Sequence, residues 1–486
     1  MAIALQLGIE REMGSAISFF ATVAPSEALQ SGTAGEMMTD APLALNQPIL
    51  QMMLLSLLLV YLASKTGGEI TNRLGLTAIL GSLLGGAAIG ISMLGLVVLP
   101  GNGVTAENSL LLDFVQLFYP PFTELERTQI FQAQGQILSN LSQLGVILLL
   151  FQVGLESNLR ELIRVAPQAA TAVLAGISVP LLVGLAGLRW LFQVETTGAL
   201  FAAAAMTAVS IGISASILTE LGALKSKEGQ LIVGAAVLDD ITGILILTVI
   251  SGLTTEAGVN VVDLVVLVVW AAIFLLGSTV LSRMLGSAFV GLLKPLHVRG
   301  GLLLLALSFC FSLGFVADMV GLEALMGAFA AGLILSQTAI RRKLEHELEP
   351  LADLLIPIFF VVTGARTDLR VINPFAPGGL GVLMMGAFLA LTVLIGRLGG
   401  AYLVPCKTPL NRLAIGVGML PLGEVALVIA GVGVASGRMP ANLSAAVVVA
   451  ILITVSITPG WLRSALSRSK SSDRLAPSDP VPTTKQ

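Results

Sequence analysis

The residues best suited to chemistry are two neighbouring acids, Asp239 and Asp240, set inside the apolar run VGAAVLDDITGILIL. A charged side chain deep in such a run costs about 2.5–3.5 kcal/mol on insertion scales, so it reads as functional by default. Both fall near the middle of a predicted span, roughly 15 Å from either end at ~1.5 Å per residue. Neighbours on a helix point about 100° apart, so one carboxyl can face a water cavity while the other faces a partner helix. Two carboxylates this close repel, and a low dielectric disfavours charging both until a cation arrives. A site that holds either a proton or a cation, but not both, is the chemical core of an exchanger. The plainer alternative is a protonated pair that hydrogen-bonds between helices.

Arg397, in LTVLIGRLGGAYL, is the basic residue placed inside a span away from its ends, and it is the natural counter-charge for one aspartate. A snorkelling side chain near a span end is the competing reading. Glu424, in GVGMLPLGEVALVIAGVG, is a third acid within a span. Gly416, Gly418, Pro421 and Gly423 interrupt the helix potential around it, and proline removes a backbone donor. The corresponding segment upstream, AAAAMTAVSIGISASILTELG, carries Thr207, Ser210, Gly212 and Ser214. Paired interrupted segments of this kind point to a site at the membrane midplane. Unwound backbone and the hydroxyls of Thr207 and Ser210 would suit a hard cation that prefers oxygen ligands. Small residues there also suit close helix packing.

Positioning such a site requires a membrane fold. Of 486 residues, 55% are hydrophobic and 11% charged, against about 25% charged in a soluble domain. Thirteen spans are predicted, at 48–64, 75–98, 139–157, 166–188, 198–220, 229–252, 261–282, 300–317, 321–337, 350–365, 377–403, 412–436 and 441–462. Each is apolar and most reach the ~20 residues that cross a hydrocarbon layer. The fold class is therefore an all-α polytopic membrane protein. Residues 1–47 form a segment before the first span, readable as a weak cleavable signal or an interfacial helix. The transmembrane domain covers 48–466, and the polar, Pro/Ser-rich 467–486 reads as a disordered tail.

Loop charges set the orientation. Lys65, Arg73, Arg160, Arg164, Lys225, Lys227, Arg283, Lys294, Arg299, Arg341, Arg342, Lys343, Lys407 and Arg412 fall on one side. Arg11, Arg127, Arg189, Arg366, Arg370 and Arg438 fall on the other. The rich side is expected in the cytoplasm, with the N-terminus outside and the tail inside. The acidic stretch 104–138 is expected as an outer loop. Glu69, Asp318 and Glu323 read as interfacial or gate residues.

The chain also repeats itself. GLTAILGSLLGG at 75–86 resembles GLEALMGAFAAG at 321–332, and LSQLGVILLLFQVGLESNLR at 141–160 resembles LADLLIPIFFVVTGARTDLR at 351–370. The copies lie seven predicted spans apart, an odd number, so they run in opposite directions. Inverted repeats of this kind recur in secondary transporters.

ILGSLLGGAAIG, LGVILLLFQVGLESNLREL, AVLDDITG, GAFAAGLILS, LIPIFFVVTG and GMLPLGEVAL, in that order, resemble the monovalent cation:proton antiporter-2 family over about 48–466. Within it, the chain is similar to bacterial sodium/proton antiporters with two adjacent aspartates. The resemblance implies a homodimer with a scaffold and a mobile six-helix core in which two broken helices cross near the aspartates. It also implies Asp240 as the cation and proton carrier, Asp239 as the partner of Arg397, and Thr207 and Ser210 in the first crossover. Glu424 would support the second. Departures from the family pattern matter. The potassium-efflux branch usually has Gln-Asp in place of Asp239-Asp240 and carries a nucleotide-binding domain that this sequence does not show. A charge common in the second broken helix is Leu422 here. The basic position, often Lys in electrogenic members, is Arg397, which holds its proton at any accessible pH. That favours an electroneutral cycle of one proton per cation.

Two histidines and two cysteines, without metal-ligand spacing, argue against a His- or Cys-based metal site. No cofactor is expected. No nucleophile with a base and no phosphate loop argues for an enzyme, and a net charge of −3 indicates no nucleic-acid partner. The expected partners are the bilayer, H+ and a monovalent cation bound at Asp240, Na+ first and Li+ or K+ as alternatives. A potassium/proton exchanger and a cation sensor without turnover remain competing readings. The membrane is either the plasma (inner) membrane or an internal energised one.

Overall fold

A computed structural model describes residues 41–254 and 300–474, apart from 75, 101–103, 367–369, 371–378 and 406–409, together with 264–266, 268–270, 273 and 277. Much of the predicted span 261–282, the segment before residue 41 and the tail beyond 474 lie outside the described residues. Within them the protein is helical: α1 (Ala41–Arg73), α2 (Ala78–Ile89), α3 (Leu110–Gln116), α4 (Glu124–Glu156), α5 (Leu159–Trp190), α6 (Thr196–Ala205), α7 (Ile211–Glu220) and α8 (Lys227–Thr254) come first. They are followed by α9 (Gly301–Met319), α10 (Ala324–Leu335), α11 (Arg341–Ala365), α12 (Gly379–Leu403), α13 (Arg412–Gly418), α14 (Glu424–Ala435) and α15 (Ala441–Arg474). The isolated β pairing among described residues is one antiparallel bridge, Val209 with Leu422.

Eight of these helices are long and apolar enough to cross a membrane, and they fall on eight of the thirteen predicted spans. Two further spans, 198–220 and 412–436, are each two helices with an extended break. Another two are half-length: α2 and α10 have 12 residues each, about 18 Å of helix against a hydrocarbon layer of about 30 Å.

Several helices start or end away from the predicted bounds, and two of these differences have plain local causes. The span expected over 75–98 stops being helical at Ile89, because the chain turns at Gly90 and again at Gly95, whose φ of +59° favours glycine. Val97, Val98 and Leu99 stay buried after the turn, so hydropathy alone carried the predicted span too far. The span expected from 139 begins instead at Glu124, inside the stretch expected as an outer loop. Its start is a capping box: Glu126 N donates to the Thr123 hydroxyl at 3.3 Å, and Thr123 N donates to the Glu126 carboxylate at 2.8 Å. Arg127, one turn on, ties the helix back to Asp113 at 2.7 Å and to Gln116.

The helices sort into two packing groups. In the scaffold group, α4 packs on α10 and α11, α9 packs on α10, and α11 packs on α2. In the core group, α12 packs on α5, α13 and α15, while α5 packs on α6 and α8. The largest apolar cluster is centred on the core group and reaches into α4, α10 and α11, and two smaller ones fill the scaffold.

Glycines record the repeat in the scaffold. A methyl group on Gly86 would strike the Val361 carbonyl, and one on Gly364 would strike that of Leu83. In the other copy, Gly332 meets the Phe151 carbonyl and Gly154 meets that of Phe329. Each contact maps onto its counterpart under the same residue offsets that align the two sequence copies. Close backbone approach through small residues is how helices associate where lipid offers no hydrophobic gain.

Candidate ion-binding site

Both breaks have local causes. The first lies between α6 and α7, where Ser210 adopts an extended conformation and its hydroxyl accepts from Ile213 N at 3.4 Å as the N-cap of α7. The second lies between α13 and α14, where Pro421 has no N–H to continue a helix. The two extended segments meet. Ser210 N donates to the Pro421 carbonyl at 2.7 Å, and Val209 bridges to Leu422. Gly423 makes the crossing possible, since a Cβ there would lie 2.5 Å from that of Ser210.

α8 passes the crossing with Asp239 and Asp240, 0% and 4% exposed. α12 brings Arg397, also 0% exposed. Its guanidinium grips Asp239 with both arms, Nη1 to Oδ1 at 2.8 Å and Nη2 to Oδ2 at 3.1 Å. Nη2 donates as well to the carbonyl of Thr207. Val209 N adds a further bond to Asp239 Oδ2 at 2.7 Å. Space for the guanidinium comes from Gly176 on α5, where a Cβ would sit 3.2 Å from Arg397 Cδ. A forked, charge-assisted pair is the strongest form such a contact takes, and a buried pair is strongly destabilised by removing either half.

Asp240, the next residue, points elsewhere. It lines a narrow crevice with Ser210 and Ile211 of the first crossing, Gly423 and Val425 of the second, and Glu323 and Leu325 of the scaffold. Ser210 therefore shares the crevice with Asp240. Thr207 lies on the other side of the crossing, its hydroxyl donating to Ala204 O at 2.7 Å and its carbonyl taken by Arg397. Glu424 opens α14 immediately after the crossing, and its side chain lies outside the described residues. The groups able to hold a monovalent cation are the Asp240 carboxylate, the Ser210 hydroxyl and crossover carbonyls, all oxygen donors that suit a hard ion. No cluster of three or more His, Cys, Asp or Glu that could hold a metal occurs among the described residues.

The half-helix ends complete the electrostatics. α7 and α14 begin at the crossing, and residues of their first turns, Ile211 and Val425, line the crevice of Asp240, so their positive ends lie beside it, while α6 and α13 end at the crossing. Three features of the site left no trace in residue types: the Val209 amide, the Thr207 carbonyl and the backbone bridge. Glu323, read from sequence as an interfacial or gate residue, lies on the Asp240 crevice.

Known proteins share the sequence and the fold of this chain. The transmembrane family of sodium/hydrogen exchangers matches residues 54–468. The chain is 44% identical over 435 residues to the high-affinity Na+/H+ antiporter NhaS3 of Synechocystis sp., covering 90% of this chain and 94% of that protein. It is 31% identical to the Na+/H+-K+ antiporter GerN of Bacillus cereus, covering 83% and 94%. Among solved structures, the sodium proton antiporter MjNhaP1 of Methanocaldococcus jannaschii superposes with a TM-score of 0.57 at 16% identity, covering 87% of this chain and 98% of that one. These are transporters, not enzymes, and the chain is a multi-pass membrane protein of the sodium/hydrogen exchanger family.

Proposed function

We propose that this protein exchanges Na+ for H+ with Asp240 as the carrier, one proton for each cation. The observation that carries the reading is the division of labour between the two aspartates. Asp239 accepts three N–H bonds, two of them from a buried guanidinium that stays charged at accessible pH. That pair is spectator charge. Asp240 alone then alternates between a proton and a cation, and each turnover moves one positive charge each way. Ser210 and carbonyls of the crossing complete the cation's oxygen shell, and Thr207 acts through its carbonyl by orienting Arg397. Glu424 supports the second broken helix. Na+ is taken first and K+ as its competitor, a reading supported by the names of the relatives NhaS3, an Na+/H+ antiporter, and GerN, an Na+/H+-K+ antiporter. The basic loops lie in the cytoplasm of a bacterial plasma membrane or an internal energised membrane, the N-terminus lies outside, and the working unit is a homodimer.

The test uses everted vesicles from antiporter-deficient cells with an imposed ΔpH, to which Na+, Li+ or K+ is added. Collapse of the ΔpH by one cation, absent in Asp240→Asn, supports the reading and names the ion. No response from a folded, inserted protein between mildly acidic and alkaline pH sinks it. In liposomes, a rate that follows an imposed membrane potential would overturn the one-for-one stoichiometry.

A further inference from the structure

We infer that Glu220 is a positioning residue of the transport cycle, latching the ion-binding core to the scaffold through the N-terminus of α2. Glu220 is the last residue of α7, the half-helix whose other end is the crossing at Ser210. Its carboxylate accepts from Ala78 N at 2.7 Å and from Ile79 N at 3.4 Å. Those are the first amides of α2, which no intrahelical carbonyl satisfies, and a carboxylate is favoured at that positive end. Thr77 occupies the N-cap position with extended backbone, φ −80° and ψ 146°, yet makes no side-chain cap bond. The cap comes instead from α7, which packs both on α8 of the core group and on α4 of the scaffold, 142 positions away in sequence.

The surroundings make this contact releasable. The hydroxyls of Thr77, Ser216 and Thr219 find no partner among the described residues, and Thr77 and Ser216 are 1% and 5% exposed. All three line, with Glu220, a cavity of about 570 Å³ between the two packing groups. Buried hydroxyls demand partners, and a cavity of that size, apolar over most of its lining but edged by these hydroxyls and the Glu220 carboxylate, has room for water to supply them. Water standing beside the Glu220 carboxylate can replace the two amides with little net change in bonding. The bonds therefore hold one arrangement of the two groups without trapping it.

The mechanical path is short. α7 is one unbroken helix of 10 residues, with the Asp240 crevice at its start and the latch at its end. A shift of the core that accompanies occupancy of Asp240 must carry Glu220 away from α2 and break both bonds. The inference rests on the antiporter reading for the cycle itself; the latch contacts stand independently of it.

The experiment compares parent, Glu220→Ala and Thr77→Asp/Glu220→Ala in proteoliposomes at saturating Na+, with Asp240→Asn as the null and melting temperatures in detergent alongside. Asp at 77 gives α2 a cap of its own and restores the charge, without linking the two groups. Losing the latch raises turnover by up to about fivefold, the equilibrium factor of one helix cap, while lowering the melting temperature. The double variant recovers the melting temperature and keeps the raised turnover. A purely structural cap gives the opposite pattern: turnover unchanged or lowered in Glu220→Ala, or returned to the parental value in the double variant, either of which overturns the latch. Should the double variant fail to recover stability, or the parent show no exchange, hydrogen exchange at Ala78 and Ile79 decides. Addition of Na+ changes protection of those amides in the parent and not in Glu220→Ala; no change in the parent overturns the latch. Absence of exchange in the parent with that Na+ response intact overturns only the antiporter reading.

Discussion

The two broken helices have the same backbone plan and opposite chemistry. At the first crossing, residues 206–210 supply a carbonyl to Arg397, an amide to Asp239 and a hydroxyl in the Asp240 crevice. At the second, Met419, Leu420 and Leu422 are fully buried apolar side chains. What that segment supplies is backbone: the Pro421 carbonyl for Ser210 and the Leu422 bridge to Val209. One crossing holds the charges and the other holds the first in place. An inverted repeat needs two breaks for its geometry, but of the segments 206–210 and 419–422 only the first carries polar side chains, and the Leu at 422 fits the templating role.

The largest effect should come from breaking the polar crossing. Asp239→Asn leaves the guanidinium of Arg397 buried without its counter-charge, which costs about 3–5 kcal/mol. The variant should melt far below the parent in detergent: the amide oxygen can still accept from Val209 N and Arg397 Nη2, but an N–H replaces the acceptor of Nη1. Asp239→Asn/Arg397→Met removes both charges and should recover much of that loss. If the single variant is as stable as the parent, the first crossing is not the electrostatic anchor and the contrast between the two crossings fails.

A smaller effect is expected at the templating crossing. Gly423→Ala puts a methyl 2.5 Å from the Ser210 Cβ and 2.8 Å from its hydroxyl oxygen. The crossing must widen, at a typical overpacking cost of about 1–3 kcal/mol, and cation exchange should slow with it. Gly431→Ala, in the same helix α14 with open space around it, is the control and should leave exchange at the parental rate. Equal behaviour of the two variants would mean that the close approach of the second crossing does not matter to the first.

Charges were legible in the sequence because an apolar run makes each one conspicuous. Asp239, Asp240 and Arg397 stood out for that reason, and Gly416, Pro421 and Gly423 marked the second break. The fold class and the repeat followed from hydropathy and two matched stretches. Helix ends were read less well. Hydropathy does not register the turn at Gly90, and the capping box at Thr123 and Glu126 lies in a polar stretch that resembled a loop. The roles of the Thr207 carbonyl and the Val209 amide were invisible in principle, because every residue offers the same backbone groups and only the fold aims them. Glu220 was hidden for a related reason: its partners are amides of a distant helix, and no residue pattern announces them.

The smallest effect sharpens the comparison most, since it asks what the one polar side chain shared by the crossing and the crevice does. The Ser210 hydroxyl accepts from Ile213 N at 3.4 Å, a long bond, so its capping of α7 is worth at most about 1 kcal/mol. It also lines the crevice of Asp240, where it can serve the cation as a ligand. Alanine removes both functions, whereas glycine at an N-cap sacrifices only a few tenths of a kcal/mol of helix stability. If the hydroxyl is a ligand, Ser210→Ala and Ser210→Gly should raise the apparent KM for Na+ alike, by several-fold, with turnover little changed. If it is only a cap, Ser210→Gly should behave as the parent and Ser210→Ala should lose stability without a change in KM. The second outcome would leave Asp240 and carbonyls as the cation's ligands and make both crossings backbone devices, the first differing from the second only in the charges it holds.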